Sequence, residues 1–354
     1  MGAINVKHTG SGAAIALSSD GTSLLLDGTA IGGGGGADLY AANESSPAAQ
    51  PSATGTNAVA IGDSAVASGQ ESVAFSKSLA SGRQSFAAAL SSNSASYGAQ
   101  GYHSVALGER SKATGYASVA LGFGTATGDN SFACSTSNSG YASAVNSFAF
   151  GSSAQAAGSP SIAMGYQPEA KAEASVAMGY RTKVTSNGQG SSAFGIDSFV
   201  DVKAKTVFGG RNFSSNGDCQ TGTTVLKGFT TDATAVQLAS GYINATAAAT
   251  NQVVLPNNSV YGFTGTIIAR ENSAQTNDFV VWEVKGGAVR AASASTTALG
   301  SYNINKISES TGAATWAIAI SADTTNGAIA FTVTGEASHS IRWVATINTT
   351  EVTY

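Results

Sequence analysis

The residues that could carry chemistry are few and scattered in this chain. Its three histidines, His8, His103 and His339, have no carboxylate or cysteine at the spacing of a metal site, and His339 is expected to lie in a solvated loop. The two cysteines, Cys134 and Cys219, are far apart in sequence, so they are expected to be small, at least partly buried thiols rather than a disulfide framework. We therefore predict neither a metal site nor a bound cofactor.

Two further patterns could be mistaken for active sites. The glycine run 32–36 lacks the Gly-Lys-Ser/Thr ending and the following helix of a phosphate-binding loop. Carboxylates recur in the middle of the chain, but not as a pair in the groove-like context that glycoside hydrolysis requires. They are expected to be solvated charges in turns: Glu109, Asp129, Glu169 and Glu173. We predict that the chain is not an enzyme and has no catalytic residue.

The composition favours short strands joined by tight turns. Only 11% of the residues are charged, against about 25% in typical globular domains, and 43 of 354 are glycine. The net charge is −4 without a basic run, so nucleic-acid binding is not expected. No apolar run approaches the length of a membrane-spanning helix, and Met1–His8 lacks the charged and apolar regions of an export signal. We expect no membrane insertion and no signal peptide.

One pattern repeats through residues 57–210 with a period close to 14 residues. Each copy has a serine or asparagine, an apolar residue, alanine, a second apolar residue and usually glycine, as in Ser118-Val-Ala-Leu-Gly122. The two apolar residues share one face of a short strand because they are two positions apart. A second short run and another glycine follow, so each copy predicts one turn of a β-solenoid. The paired apolar positions include Val59, Ile61, Val105, Leu107, Val119, Leu121, Phe148, Phe150, Ile162, Met164, Val176 and Met178.

A single chain has little apolar material with which to stabilise such turns. Ordering the 14 residues of one turn costs about 20 kcal/mol of conformational entropy, whereas its two large apolar side chains, which we expect to point inward, return only about 1.5–3 kcal/mol each. We therefore predict that several chains share one core formed by the paired apolar positions. The second strand of a turn carries small residues that let backbones approach closely: Ala65, Ala67, Ala113 and Ala126.

The repeat resembles the head repeats of trimeric autotransporter adhesins over residues 57–210. The motifs that carry the resemblance include Asn57-Ala-Val-Ala-Ile-Gly62, Ser104-Val-Ala-Leu-Gly108 and Ser161-Ile-Ala-Met-Gly165. The resemblance implies a left-handed β-roll in which three chains form one rod. The period stretches before Val105 and before Ser192, where we expect loops or bulges.

The remainder of the chain departs from that family, because we find no export signal, no long heptad stalk and no convincing membrane anchor. Gly2–Gly10, with a hairpin expected over Ala14–Leu26, is similar to short attachment segments of structural proteins from marine phages. Asn251–Asn258 is similar to part of the terminal β domain of phage fibre-like proteins. These resemblances imply a bacteriophage fibre protein that is assembled in the host cytoplasm and located in the virion.

Residues 229–354 have a different character, because the repeat stops, the strands lengthen and all three tryptophans lie here. Alternating apolar residues predict several strands, which indicates a β-sandwich of jelly-roll type. Each tryptophan falls on the apolar face of a strand and is expected to belong to the core. The predicted strands cover 261–268, 279–284, 314–320, 328–333 and 341–347, with hairpin turns at Gly286-Gly287 and Asn326-Gly327.

The sequence thus predicts an all-β homotrimeric fibre. Its parts are an attachment unit (1–36), a linker (37–56), the β-roll (57–210), a neck (211–228) and a β-sandwich tip (229–354). The N-terminus is expected to bind phage structural proteins, and the tip a host cell-surface glycan or protein, through residues within 229–354. The alternatives are a capsid (head) fibre or decoration protein with a purely structural role, or a bacterial surface adhesin or glycan-degrading spike.

Overall fold

A computed structural model describes four strands within residues 1–47, and residues 50–137, 139–271 and 277–354. Met1–Pro47 and Ala48–Tyr354 are two separate compact units. The strands of the first unit form an antiparallel sheet in chain order, which includes the expected hairpin. His8, the glycines 32–36 and most of the expected linker lie outside the described residues. The four strands are Ile4–Val6, Ile15–Ser19, Leu24–Leu26 and Thr29–Ile31.

Residues 52–210 form the predicted β-solenoid, with eleven turns. Each turn contributes one strand to a wide sheet and one two-residue strand to a narrow sheet, and the pairing between turns is parallel. The wide-sheet strands are Val59–Ile61, Val73–Phe75, Phe86–Ala88, Val105–Leu107, Val119–Gly122, Phe132–Ser135, Ser147–Phe150, Ser161–Tyr166, Ser175–Tyr180, Ser192–Ile196 and Lys205–Gly210. The narrow-sheet strands are Ser52–Ala53, Val66–Ala67, Leu79–Ala80, Gly98–Ala99, Lys112–Ala113, Thr125–Ala126, Tyr141–Ala142, Gln155–Ala156, Glu169–Ala170, Lys183–Val184 and Phe199–Val200.

Small residues fill the space between the two sheets. The alanine at the centre of the wide strand and the second residue of the narrow strand point inward. Ala120 and Ala113, for example, occupy these two positions and are fully buried. In seven turns the serine at or just before the start of the wide strand is buried as well, and its hydroxyl donates a hydrogen bond to the carbonyl three residues earlier. This bond is 2.7 Å long from Ser118 Oγ to the Gly115 oxygen and recurs at Ser72, Ser85, Ser104, Ser131, Ser147 and Ser175. The serine therefore satisfies two buried polar groups at once: its own hydroxyl and the backbone carbonyl three residues earlier. Ser161 is an exception, because its buried hydroxyl has no partner among the described residues.

Glycine is required where successive turns touch. A β-carbon added at Gly115 would lie 2.0 Å from the carbonyl oxygen of Gly128 in the next turn, so only a residue without a side chain fits. Where the period stretches, the extra residues form loops over 89–97 and 185–191, which confirms the expected interruptions.

The wide sheet continues into the C-terminal domain without a break. Cys219–Thr230 pairs antiparallel with Lys205–Gly210 and with a long strand on its other edge. The structure therefore differs from the expected neck, because 211–218 is turn-rich but residues 219–228 belong to a strand of 12 residues. The sheet proceeds through Ile341–Thr353, Ser259–Glu271, Phe279–Arg290 and Ala298–Glu309.

A smaller sheet covers one face of this long C-terminal sheet and completes a β-sandwich. Its central strand is Ala328–Thr334, flanked by Val236–Gln237, Val253–Val254 and Ala317–Asp323. The three tryptophans lie in the core between the sheets, as predicted: Trp282, Trp316 and Trp343, each at most 3% exposed.

The two expected hairpin turns have different outcomes. Asn326-Gly327 does join two paired strands, and Gly327 has the positive φ of 69° that favours glycine. Gly286-Gly287 lies instead inside the strand Phe279–Arg290, at a shift of register against the neighbouring strand. The glycines therefore mark a β-bulge rather than a turn.

The described part of the chain contains no α-helix, only the short 3₁₀ segments Ala294–Thr296 and Thr311–Ala313. Accordingly, none of its helices has the length and hydropathy needed to cross a bilayer.

Candidate interaction surfaces

The paired apolar residues of the repeat lie on the outer face of the wide sheet, away from the alanine interior. In the strand Val105–Leu107, for example, the central alanine is buried while the residues on either side are half-exposed. Exposure reaches 39% at Ile162 and 47% at Phe150. The expectation that the large side chains of a turn point inward is therefore wrong. They fill no space inside the chain, whose interior is mostly alanine and serine, with valine in the last turns. All twelve predicted positions share this outer face, and their place in a trimer core stays a prediction.

Strand register aligns these residues in two columns, which together we call the apolar face. Because parallel strands stack about 4.8 Å apart, aromatic rings in one column stack on each other, and the Phe132 and Phe148 rings lie 4.9 Å apart and nearly parallel. The first column contains Val59, Val73, Phe86, Val105, Val119, Phe132, Phe148, Ile162 and Val176. The second contains Ile61, Phe75, Ala88, Leu107, Leu121, Cys134, Phe150, Met164, Met178, Phe194 and Phe208.

The C-terminal sheet extends this surface and adds a groove to it. Its outward side chains include exposed aliphatic residues, such as Val260 and Val344 at 50% and 48%. A groove of about 820 Å³ mixes aromatic, cationic, amide and hydroxyl groups from the last solenoid strand and the C-terminal sheet. Sequence reasoning missed this groove, because its residues come from strands that are distant in the chain. They include Phe208, Thr223, Lys285, Tyr302, Asn348 and Thr350.

A buried polar cluster joins the last solenoid turn to the C-terminal domain. Lys205 Nζ lies 2.5 Å from Glu351 Oε1, with side-chain exposures of 7% and 0%, and Gln220 Nε2 donates to Glu351 Oε2 at 2.8 Å. Burial raises the pKa of the Glu351 carboxyl, but the Lys205 ammonium and hydrogen bonds from Thr349 and Gln220 lower it more, so this pKa lies below its usual value. Burial, with the Glu351 charge, raises the pKa of Tyr261 well above its ordinary value. The cluster is a neutralised structural contact.

Two sequence expectations about titratable residues need correction. His339 is not a plain solvated loop histidine, because its Nδ1 lies 2.9 Å from Glu271 Oε1 and its side chain is only 30% exposed. Glu169 is not in a turn but in a narrow-sheet strand, where its carboxylate lies 2.6 Å from Lys171 Nζ and 3.2 Å from Lys183 Nζ. Glu271 is thus paired with a residue remote in sequence, and Glu169 with one residue of its own turn and one of the next turn.

The other candidate residues are where the sequence places them. Glu109, Asp129 and Glu173 lie in turns, and Cys134 and Cys219 are free, half-buried thiols. In the ranges that the structure describes, no cluster of three or more histidine, cysteine, aspartate or glutamate side chains could hold a metal ion. The absence of a cofactor and of catalysis stays a prediction.

Comparison with known proteins supports the interpretation of the repeat. Four segments match the family model described as the YadA head domain repeat (2 copies): residues 53–75, 99–125, 142–167 and 158–182. The solenoid is similar to YadA heads. The resemblance to adhesin head repeats is thereby confirmed for these segments, which all lie within the solenoid.

The comparisons with solved structures and with curated proteins do not indicate a function. The crystal structure of tailspike protein gp49 from Acinetobacter baumannii bacteriophage Fri1, a capsular polysaccharide depolymerase, is similar with 11% sequence identity and a TM-score of 0.24. The match covers 78% of this chain and 50% of the tailspike, so this chain spans half the length of that protein. At this TM-score the tailspike's activity has no bearing on the present chain. No curated protein matches the chain.

Proposed function

We propose that this chain is the subunit of a homotrimeric bacteriophage fibre. In this proposal the apolar faces of three solenoids pack together, the N-terminal unit binds the particle, and the C-terminal sandwich contacts a host cell-surface glycan or protein. The observation that carries the proposal is the apolar face, which runs in register along the turns and is left partly exposed by the residues of Ala48–Tyr354 that the structure describes.

The energetics of one residue show why this face favours association. A phenylalanine side chain can bury about 200 Å², so Phe150, which is 47% exposed, retains roughly 90 Å² that further packing could cover. At about 25 cal/mol per Å², covering it contributes about 2 kcal/mol per chain. The similarity to YadA-type head repeats supports three chains as the number that covers it.

The place of the fibre in a virion is supported by the ends of the chain. Gly2–Gly10 and Asn251–Asn258 are similar to segments of phage structural and fibre-like proteins. A trimer would present three copies of the C-terminal domain, so that weak binding at each single site becomes useful avidity. Attachment to the head or to the tail of the particle fits the proposal equally well.

Substitution on the apolar face tests the association. Wild-type protein is expected to have three times the chain mass of 35.0 kDa in sedimentation equilibrium at micromolar concentration. Phe150→Asp would place a carboxylate from each chain in the shared core, and unpaired buried charge is costly, so the trimer should dissociate. Phe213→Asp is the matched control, since Phe213 is 77% exposed in the turn-rich segment 211–218. A folded wild-type monomer would refute the proposal.

Labelling and competition test the remaining parts. An antibody raised against the full-length chain should label intact particles of the phage whose genome encodes it, and the purified full-length protein should reduce adsorption of that phage to host cells. Labelling of the particle without competition would favour the structural alternative, a decoration protein or head fibre. Release of reducing sugar from host capsule by the protein would overturn the prediction that it is not an enzyme.

A second candidate, a bacterial surface adhesin, is favoured by the match to YadA-type head repeats. The same antibody separates the two functions. Label on the surface of uninfected bacterial cells, and not on phage particles, would support the adhesin.

A further inference from the structure

The narrow sheet carries a polar hollow of about 430 Å³ on its outer face, across the alanine interior from the apolar face. Two columns of side chains from three successive turns line it, together with Thr182 and Asn216. One column is Ser153, Gln167 and Arg181, in the bends between the sheets, and the other is Gln155, Glu169 and Lys183, in the narrow strands. Because of its position, the hollow is open whether or not the apolar face is covered.

We propose that this hollow binds an acidic oligosaccharide, with a sugar carboxylate held by Arg181 and Lys183. The proposal concerns a site outside the C-terminal domain and does not depend on trimer formation.

The cations of the hollow are fixed in place but retain donors for a ligand. Arg181 Nε donates to the buried Asp197 at 2.7 Å, which orients the guanidinium. Among the described residues this guanidinium donates a hydrogen bond through Nε alone, and Arg181 lines the hollow, so its two terminal amino groups are available as a fork suited to a carboxylate. Lys183 lies one position beyond Thr182 in the same wall.

The balance of charge in the hollow favours an anion. Glu169 is the lining carboxylate, and it pairs with Lys171 as well as with Lys183. Burial raises the pKa of the Glu169 carboxyl, but hydrogen bonds from the two lysines lower it more, so this pKa lies below its usual value and the group is ionised at neutral pH. Counting Lys171, which lies beside the hollow, the three cations Lys171, Arg181 and Lys183 exceed the two carboxylates Glu169 and Asp197 by one positive charge, on a chain whose net charge is −4.

The neutral groups indicate a sugar rather than a simple anion. Gln155 Oε1 accepts a hydrogen bond of 2.8 Å from the Tyr141 hydroxyl, which holds the amide and places an aromatic ring next to the hollow in the same column. The Thr182 residue is fully buried, and its hydroxyl has no hydrogen-bond partner within the described ranges. Ser153, Gln155 and Gln167 thus present hydroxyl and amide groups from two successive turns, about 4.8 Å apart, next to the cations of the third turn.

Calorimetric titration of the full-length protein tests this site, with tetragalacturonate as the probe and its methyl ester as the neutral counterpart. Wild-type protein is expected to bind the acid at least about ten-fold more tightly than the ester, because charge-assisted hydrogen bonds to the carboxylate are lost in the ester. Lys183→Gln and Arg181→Lys should each weaken binding of the acid by about ten-fold or more, the second because lysine keeps the charge but not the fork.

Lys112→Gln is the matched control. Lys112 occupies the same strand position in the same column but lies outside the hollow, so its substitution should leave binding unchanged. Equal affinity for the ester, absence of binding at millimolar acid, or equal weakening by Lys112→Gln and Lys183→Gln would each overturn the proposal. Circular dichroism of each variant confirms that the solenoid is folded.

Discussion

Replacing Lys205 by methionine is expected to lower the free energy of unfolding of the C-terminal domain by about 3–5 kcal/mol. The Lys205 ammonium lies 2.5 Å from Glu351, and the two side chains are 7% and 0% exposed. Methionine fills a similar volume without a charge, so the variant leaves the Glu351 carboxylate buried with hydrogen-bond donors that are all neutral. The loss in free energy of unfolding is the cost of desolvating that carboxylate, which the lysine no longer offsets.

The stability lost in Lys205→Met should also change with pH in a characteristic direction. In the wild type the pKa of Glu351 is below its unfolded value of 4.5, so its contribution to stability is complete above about pH 4.5 and is lost as the pH falls through the folded pKa. In Lys205→Met, burial would act without the lysine and raise the pKa of Glu351. Stability would then decline as the pH rises above 4.5, so the deficit relative to wild type should be larger at pH 7 than at pH 4.

Urea unfolding followed by tryptophan fluorescence measures this effect, since all three tryptophans lie in the C-terminal core. Lys306→Met is the matched control, because Lys306 forms an equally short but half-exposed pair with Glu309 and should cost less than about 1 kcal/mol. The double variant Lys205→Met/Glu351→Leu should recover most of the loss. The reasoning is refuted if Lys205→Met costs no more than Lys306→Met, or if its deficit shrinks between pH 4 and pH 7.

Two further substitutions probe the solenoid interior and the C-terminal domain. Ala120→Leu would force a large side chain between sheets that are spaced for alanine, which should lower the free energy of unfolding by about 1–3 kcal/mol or more. The loss should appear as a lower midpoint in thermal unfolding followed by far-ultraviolet circular dichroism. An unchanged midpoint would show that the interior can expand. Asp323→Asn should lower the melting temperature at pH 7, because the folded protein stabilises the Asp323 carboxylate. Burial raises the pKa of Asp323, but hydrogen bonds from Asn326, Gln252 and the Thr325 amide lower it more, from 3.8 to about 2. The difference in melting temperature should narrow as the pH falls through 3.8 toward 2, and a difference independent of pH would contradict this role.

The repeat made the solenoid predictable because its signals are local. In Ser118-Val-Ala-Leu-Gly122 the alternation of side chains, the serine and the glycine each describe a feature of one turn, and the period describes how turns stack. The same logic located the loops where the period stretches. It also assigned the paired apolar residues to one common face, but it expected that face to point inward, whereas the inside of the chain is filled mainly by alanine.

The errors arose where distant segments decide the structure. Cys219–Thr230 contains glycines that favour turns, yet it is a strand because both of its edges are hydrogen-bonded to other strands. The glycines at 286 and 287 are held in a strand by the same kind of pairing. The contact between Lys205 and Glu351 and the groove beside Phe208 had no local signal at all, because each joins residues that meet only after the C-terminal sheet has formed.

The narrow interior of the solenoid places the proposed contact between chains and the proposed ligand site on different outer faces. Because most inward positions hold alanine or serine, with valine in the last turns, the large side chains of the solenoid strands lie on an outer face, either of the wide sheet or of the narrow one. Lys205, at the junction with the C-terminal domain, is an exception. The sequence places apolar residues such as Phe150 on the first and polar residues such as Gln155 and Lys183 on the second. A charge introduced on the wide face should therefore abolish association without altering the hollow, whereas Lys183→Gln should alter ligand binding without changing the mass of the assembly. If Lys183→Gln instead dissociated the protein, the two faces could not act independently, and the wide sheet could not be the main contact between chains.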